Sequence, residues 1–167
     1  MRHMYGVELH VPAGKLPGFY AQVIHKIGDH VNVFDRDKLL FIVETTEERE
    51  KLEAILTKSS MLGDVFSLLL LPASAELAHL DDSGFISPNE NMYLYAEIVS
   101  MFTLTAGSGS VQDRWAAIEQ LQEHLLGMIP QTDDEAPVYI IDRNLAELAE
   151  GIVRAYQIPL TWLHHES

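Results

Sequence analysis

The 167-residue chain contains no cysteine, so it has neither disulfides nor thiolate metal sites, which fits a cytoplasmic protein. Lysine is missing from most of it, since none follows Lys58. No stretch approaches the roughly 18 to 20 uninterrupted apolar residues that a membrane span requires, and Met1 to Tyr5 lacks the apolar run of a secretion signal. A soluble protein with no membrane contact is expected. What is present, 47% hydrophobic against 22% charged residues, is a globular composition.

The charge is unevenly placed. Residues 1 to 72 carry eight Lys or Arg against ten Asp or Glu, a net −2. Residues 73 to 167 carry Arg114, Arg143 and Arg154 against fifteen acids, a net −12. Phosphate backbones are recognised by clustered Lys and Arg, so no direct nucleic-acid binding is expected. Long-range attraction matches such a surface to a basic protein partner instead. Asp133, Asp134 and Glu135, three consecutive acids in a polar loop, are the candidate contact.

Apolar periodicity sets the expected elements. Val65 to Leu71 is almost wholly apolar between Gly63 and Pro72, the pattern of a strand buried on both faces. Tyr5, Val7, Leu9 and Val11 alternate as a half-buried strand. Phe19, Tyr20, Val23, Ile24 and Ile27 then follow at helical spacing from Pro17 to Gly28. Val31 to Phe34 and Leu39 to Val43 flank Asp35 to Lys38 as a hairpin, and Thr45 with Glu48 caps a helix burying Leu52, Ile55 and Leu56. Residues 4–72 thus spell strand, helix, strand, strand, helix, strand, the ferredoxin-like βαββαβ order of an α+β fold.

Beyond it the pattern predicts an irregular stretch and then two helices. One starts at Ser87-Pro88-Asn89-Glu90 and runs to Leu104. The other starts at Ser110 and Asp113, presenting Trp115, Ile118, Leu121, Leu125 and Leu126. Val138 to Ile141, a helix capped by Asn144 and Glu147, and Leu160 to Leu163 complete a C-terminal βαβ unit. The two regions, 4–72 and 88–163, are expected to pack as one compact globule. No internal repeat is visible at the sequence level.

The run Leu16-Pro17-Gly18-Phe19-Tyr20-Ala21-Gln22-Val23-Ile24, followed by Val31-Asn32-Val33, resembles the opening of ACT regulatory domains. Those share the βαββαβ order, begin the first helix at Pro-Gly and often carry Asn-Val or Asn-Ile on the second strand. The resemblance covers residues 4–72. It implies sensing of an amino acid or other small ligand, usually across a homodimer, at a loop formed by Gly14, Leu16, Pro17 and Gly18 with Asn32.

Among the eight histidines, His79 with Asp81 and Asp82, and His25 with His30, lack the ligand number of a metal site. No metal and no cofactor are expected, and His164 and His165 are expected to point to water. No nucleophile, base and orienting group can be assembled from the sequence. The leading reading is a non-catalytic interaction or regulatory protein of inhibitor or immunity type. An ACT-type sensor comes second, and an enzyme of unknown type third.

Overall fold

The computed structural model describes residues 1–14, 17–105, 107 and 109–165. Its described residues form an α+β chain with four helices and two antiparallel sheets. They divide into two compact units, Met1–Leu70 with Ile86–Tyr93, and Leu71–Phe85 with Leu94–Ser167. None of the helices is long and apolar enough to cross a membrane.

The first unit contains β1 (Arg2–Leu9), α1 (Pro17–His30), β2 (Asp35–Asp37), β3 (Leu40–Val43), α2 (Thr46–Lys58) and β4 (Leu62–Leu70). β1 lies between β3 and β4, antiparallel to both, and β2 pairs antiparallel with the far side of β3. Alternation puts Val7 and Leu9 on one face, where they join Phe41 and Val43, Val23 and Ile27 of α1, and Leu52 and Leu56 of α2 in one core. On the other face, Gly6 leaves room that a side chain would fill. A Cβ there would sit 2.9 Å from Leu68 Cδ1 and 3.2 Å from Leu40 Cδ1, so side chains from β3 and β4 meet above β1.

Three details differ from the sequence reading. The hairpin exists and its second strand, β3, lies where expected, but the first strand begins four residues later. Asp35–Asp37 is the strand, Lys38 and Leu39 make the turn with Lys38 at φ 54°, and Val31 to Phe34 is the approach to it. β4 is buried at Leu68 and Leu69, and Leu71 just beyond it is buried too, whereas Val65 is 42% exposed, so only the second half of that run is core. Nor is β4 an edge: the sheet order is β2-β3-β1-β4, continued by β7 (Met92–Tyr95) and β6 (Gly84–Ile86).

The predicted helix from Ser87 to Leu104 is absent. Ser87 N donates to Asn91 O, Glu90 N donates to Ser87 O, and Glu90 has φ 67°, a left-handed conformation that no right-handed helix continues. The cap-like residues therefore close a turn between β6 and β7. The apolar run beyond it, polar on too narrow a stripe for a surface helix, supplies β7 and then β8 (Val99–Leu104), strands in different sheets.

The second unit continues with α3 (Val111–Gln122), β9 (Leu125–Ile129), β10 (Val138–Asp142), α4 (Ala146–Ala155) and β11 (Leu160–His164). Here β8 lies between β10 and β11, antiparallel to both, with β9 antiparallel on the far side of β10. The path from β8 to β11 thus repeats the connectivity of β1 to β4, strand for strand. A short β5 (Glu76–Leu77), in the stretch read as irregular, adds to β9. Gly127 permits this: a Cβ there would lie 2.4 Å from Glu76 O. Leu125 and Leu126, read as helical, belong to β9, because α3 stops at Gln122.

Phe102, Leu104, Tyr139 and Ile141 on the sheet pack with Ala117 and Leu121 of α3 and Ala149 and Val153 of α4. Ser110 caps α3, its hydroxyl accepting from Asp113 N at 3.0 Å, as its sequence predicts. The cap before α4 is Asp142 rather than Asn144. Its carboxylate accepts from Asn144 N at 2.8 Å and opens a 3-10 turn that leads into the helix.

Candidate functional site

Among the described residues, the two least buried large apolar side chains, Val111 and Trp115, lie on α3 in the second unit. Successive helical residues advance by about 100°, so with Ala117 and Leu121 fixed on the sheet, Trp115 lies well round the cylinder from both. Trp115, which the sequence groups with Ile118 and Leu121, is 70% exposed, and Val111, one turn earlier, is 80% exposed. Together with Gln112, Ala116 and Glu119 they border a surface groove. Ala116 and Glu119 also line a second groove of about 520 Å³ that runs against α4, with Glu123, His124, Leu148 and Ile152 along it. Leu148 is itself 43% exposed. The result is an apolar strip interrupted by carboxylates, and among the described residues no lysine or arginine lines either groove.

Asp133, Asp134 and Glu135 are all exposed, in the loop between β9 and β10. The loop is folded on Thr132: Glu135 N donates to Thr132 Oγ1 at 3.0 Å, and Thr132 N donates to Glu135 O. Tyr139 pairs with Phe102, so β10 begins at the Leu104 end of β8, the end from which the chain leaves toward α3. The acidic loop and the start of α3, with Val111 and Trp115, therefore share one end of this sheet.

The ACT-like residues are dispersed differently from the expectation. Leu16 lies outside the described residues, as does Ser108 of the Gly-Ser link. Gly14, at φ 85°, and Pro17 and Gly18 at the head of α1 are exposed. A Cβ at Gly14 or Gly18 would meet nothing within 4 Å. Asn32 is not on the second strand; it precedes it, and its backbone N donates to Glu48 Oε2 at 2.8 Å. Glu48 is thereby diverted from the reciprocal half of a capping box, although Glu48 N still donates to Thr45 Oγ1 at 3.1 Å. Its bonds with Lys51 and with Asn32 N hold the Glu48 carboxyl below its ordinary pKa.

A polar cluster that the sequence reading placed in a turn sits at Asp35, only 3% exposed. Its carboxylate accepts from Asn89 Nδ2 at 2.8 Å, Asn91 Nδ2 at 2.9 Å, Tyr93 OH at 2.7 Å and Arg36 N at 2.8 Å. Burial pushes its pKa up, but Ser87, Asn91, Tyr93 and Arg36 N outweigh that and hold it at about 2. Burial first, and then this carboxylate, push the Tyr93 hydroxyl well up, so it stays a donor. An ionised carboxylate with this many donors has no capacity left for proton transfer. It fastens the Ser87–Tyr93 segment to β2. Only the spacing of Asn89, Asn91 and Tyr93 on alternate residues hinted at it, as one face of a turn and strand.

His164 is half-buried and His165 is exposed, as expected for the latter, but both rings are held by the fold. His165 Nδ1 bonds to Ser100 Oγ at 2.8 Å and its ring stacks on Trp162, while His164 Nε2 bonds to Ala96 O at 2.6 Å. The Ser100–His165 pair has hydrogen-bond geometry, yet Ser100 is fully buried and no substrate reaches its hydroxyl. Among the described residues no group of three or more His, Asp and Glu is placed to hold a metal ion. Compared with known proteins, the chain matches no family model, no curated protein and no solved structure.

Proposed function

We propose that the chain is a non-catalytic interaction protein, of inhibitor or immunity type, whose acidic second half engages a basic protein partner. The observation that carries this reading is Trp115, 70% exposed beside Val111 on a groove where, among the described residues, Glu119 is the one charged lining residue. Tryptophan is among the residues most often responsible for binding energy at interfaces, and the surrounding carboxylates select a partner of opposite charge. The acids of residues 133–135 extend that field at the same end of the sheet. Each unit is read as a ferredoxin-like βαββαβ fold, supported by the antiparallel order in which the first strand lies between the third and the fourth. A cytoplasmic location accords with the cysteine-free sequence.

The test is capture of partners from host lysate on the full chain with salt elution, repeated with Trp115→Ala. A basic protein retained by the native chain and lost from the variant supports the reading. Equal retention by both overturns the role of this face. A second reading, an ACT-type amino-acid sensor on the first unit, is favoured by the open, exposed Gly14 and Gly18. It requires a thermal shift with at least one common amino acid at millimolar concentration.

A further inference from the structure

Between α3 and the β5 side of its sheet the second unit has an open-mouthed cavity of about 500 Å³, within the ordinary range of small-molecule sites. Leu77, Ile118, Leu125 and Met128 give it an apolar wall, and Gln122 and Tyr139 supply polar atoms. Tyr139 is 5% exposed, and its ring packs against Phe102 with centroids 5.4 Å apart, which fixes where its hydroxyl points. That hydroxyl makes no hydrogen bond among the described residues. It is also not one of the sealed polar atoms without a partner, of which Arg49 Nε is the single described case. It is therefore not sealed off, and Tyr139 lines this pocket. Buried tyrosine hydroxyls usually find a partner, so one without a protein partner on the lining of a pocket of ligand size offers a donor to a bound acceptor.

We propose that this cavity is a binding site for an uncharged, mainly apolar small molecule carrying one carbonyl or hydroxyl oxygen, which accepts a hydrogen bond from Tyr139. Burial raises the pKa of the Tyr139 hydroxyl, only partly countered by Arg114, so it serves as donor at neutral pH. Apolar walls take the body of the ligand, and Met128 adapts to its outline. Glu76, also on the lining, and the net −12 of residues 73 to 167 select against an anion. The site is separate from the Trp115 groove, shares no lining residue with it, and does not depend on the protein-partner reading.

Three probes of similar size separate the contributions: acetophenone with an acceptor, ethylbenzene without one, and benzoate with a charge. Methyl NMR spectra of the full chain are recorded during titration with each. Acetophenone is expected to shift the methyl signals of Leu77, Ile118 and Met128, and to bind more tightly than benzoate. Tyr139→Phe, which removes no existing hydrogen bond, leaves the fold and ethylbenzene binding unchanged and weakens acetophenone about threefold to tenfold. The proposal is overturned by any of three results: no shift with millimolar acetophenone, shifts confined to other residues, or an acetophenone-to-ethylbenzene affinity ratio unaltered by Tyr139→Phe.

Discussion

The two units follow the same path, strand, helix, two strands, helix, strand, with the same antiparallel neighbours, yet they handle polar groups in opposite ways. The first draws a carboxylate inward: Asp35 is buried and saturated by donors from Asn89, Asn91 and Tyr93. The second keeps its acids outside and draws in aromatic rings, with Phe102 packed between Tyr139 and Trp162 at 5.4 Å from each. One connectivity is thus compatible with two ways of fixing a sheet. A buried polar network demands specific partners, whereas an aromatic row demands volume. The second unit's exterior is consequently free to carry surplus charge and an exposed tryptophan.

Deleting the central element of each unit separates the two devices. Phe102→Ala removes the middle ring of the aromatic row and is expected to cost about 3 to 5 kcal/mol. Leu69→Ala, at 2% exposure on β4, is expected to cost about 2 to 5 kcal/mol. Urea midpoints measure both. A loss below about half a kcal/mol for either would show that the residue is not the packed core element its burial indicates.

Asp35→Ala breaks the first unit's device differently, because it leaves no cavity of comparable size but strands the buried hydroxyls of Tyr93 and Ser87 and the half-buried amide of Asn91. Unsatisfied buried polar groups cost roughly 1 to 3 kcal/mol each, and loss of about 3 kcal/mol is expected in total. Ser100→Ala in the second unit, where one hydroxyl meets one histidine, should cost about 1 kcal/mol. Equal losses would erase the contrast.

The same carboxylate gives the first unit a pH signature. Asp35 has an ordinary value of 3.8 in the unfolded chain and about 2 when folded, so between these values the unfolded chain binds more protons. The stabilisation is complete above about pH 4, amounts to about 2 kcal/mol, and is lost as pH falls through about 2. Subtracting the profile of Asp35→Asn from that of the native chain isolates it. A difference that stays flat from pH 5 to 2 would show that Asp35 titrates normally.

Much of the first unit was legible because its signals are local. Pro17 and the apolar spacing after it mark α1, Thr45 caps α2 within three residues, and alternation in β1 assigns its core face. Asp35 was misread because an aspartate beside arginine and lysine looks like a solvated turn, and its partners lie more than fifty residues away. From Met92 to Leu104 the failure has another cause. A run apolar on nearly every side satisfies both helical and strand periodicity, and burial from distant segments decided between them. The candidate site was half visible: net charge located the acidic loop, but Trp115 was grouped with the other apolar residues that α3 presents, and its exposure depends on how α3 is rotated about Ala117 and Leu121.

The smallest expected effect on stability belongs to the surface on which the functional reading depends. Trp115 is mostly exposed, so Trp115→Ala should change the urea midpoint by no more than about 0.5 kcal/mol. If it anchors a partner, the same substitution should weaken binding by 2 kcal/mol or more, about thirtyfold, chiefly through faster dissociation. Replacing Asp133, Asp134 and Glu135 with Asn, Asn and Gln should act on the other rate. Exposed charges steer encounter over distances comparable with the Debye length, about 8 Å at physiological salt, so association slows and its salt dependence flattens while dissociation changes little. Rates measured on a captured basic partner at two ionic strengths distinguish anchor from steering surface. If the triple substitution leaves association and its salt dependence unchanged, the acidic loop is solvated surface, and Trp115 alone carries recognition. If Trp115→Ala destabilises the fold by several kcal/mol instead, its ring is part of the second unit's core, and the contrast between a polar-cored first unit and an outward-facing second unit fails at this helix.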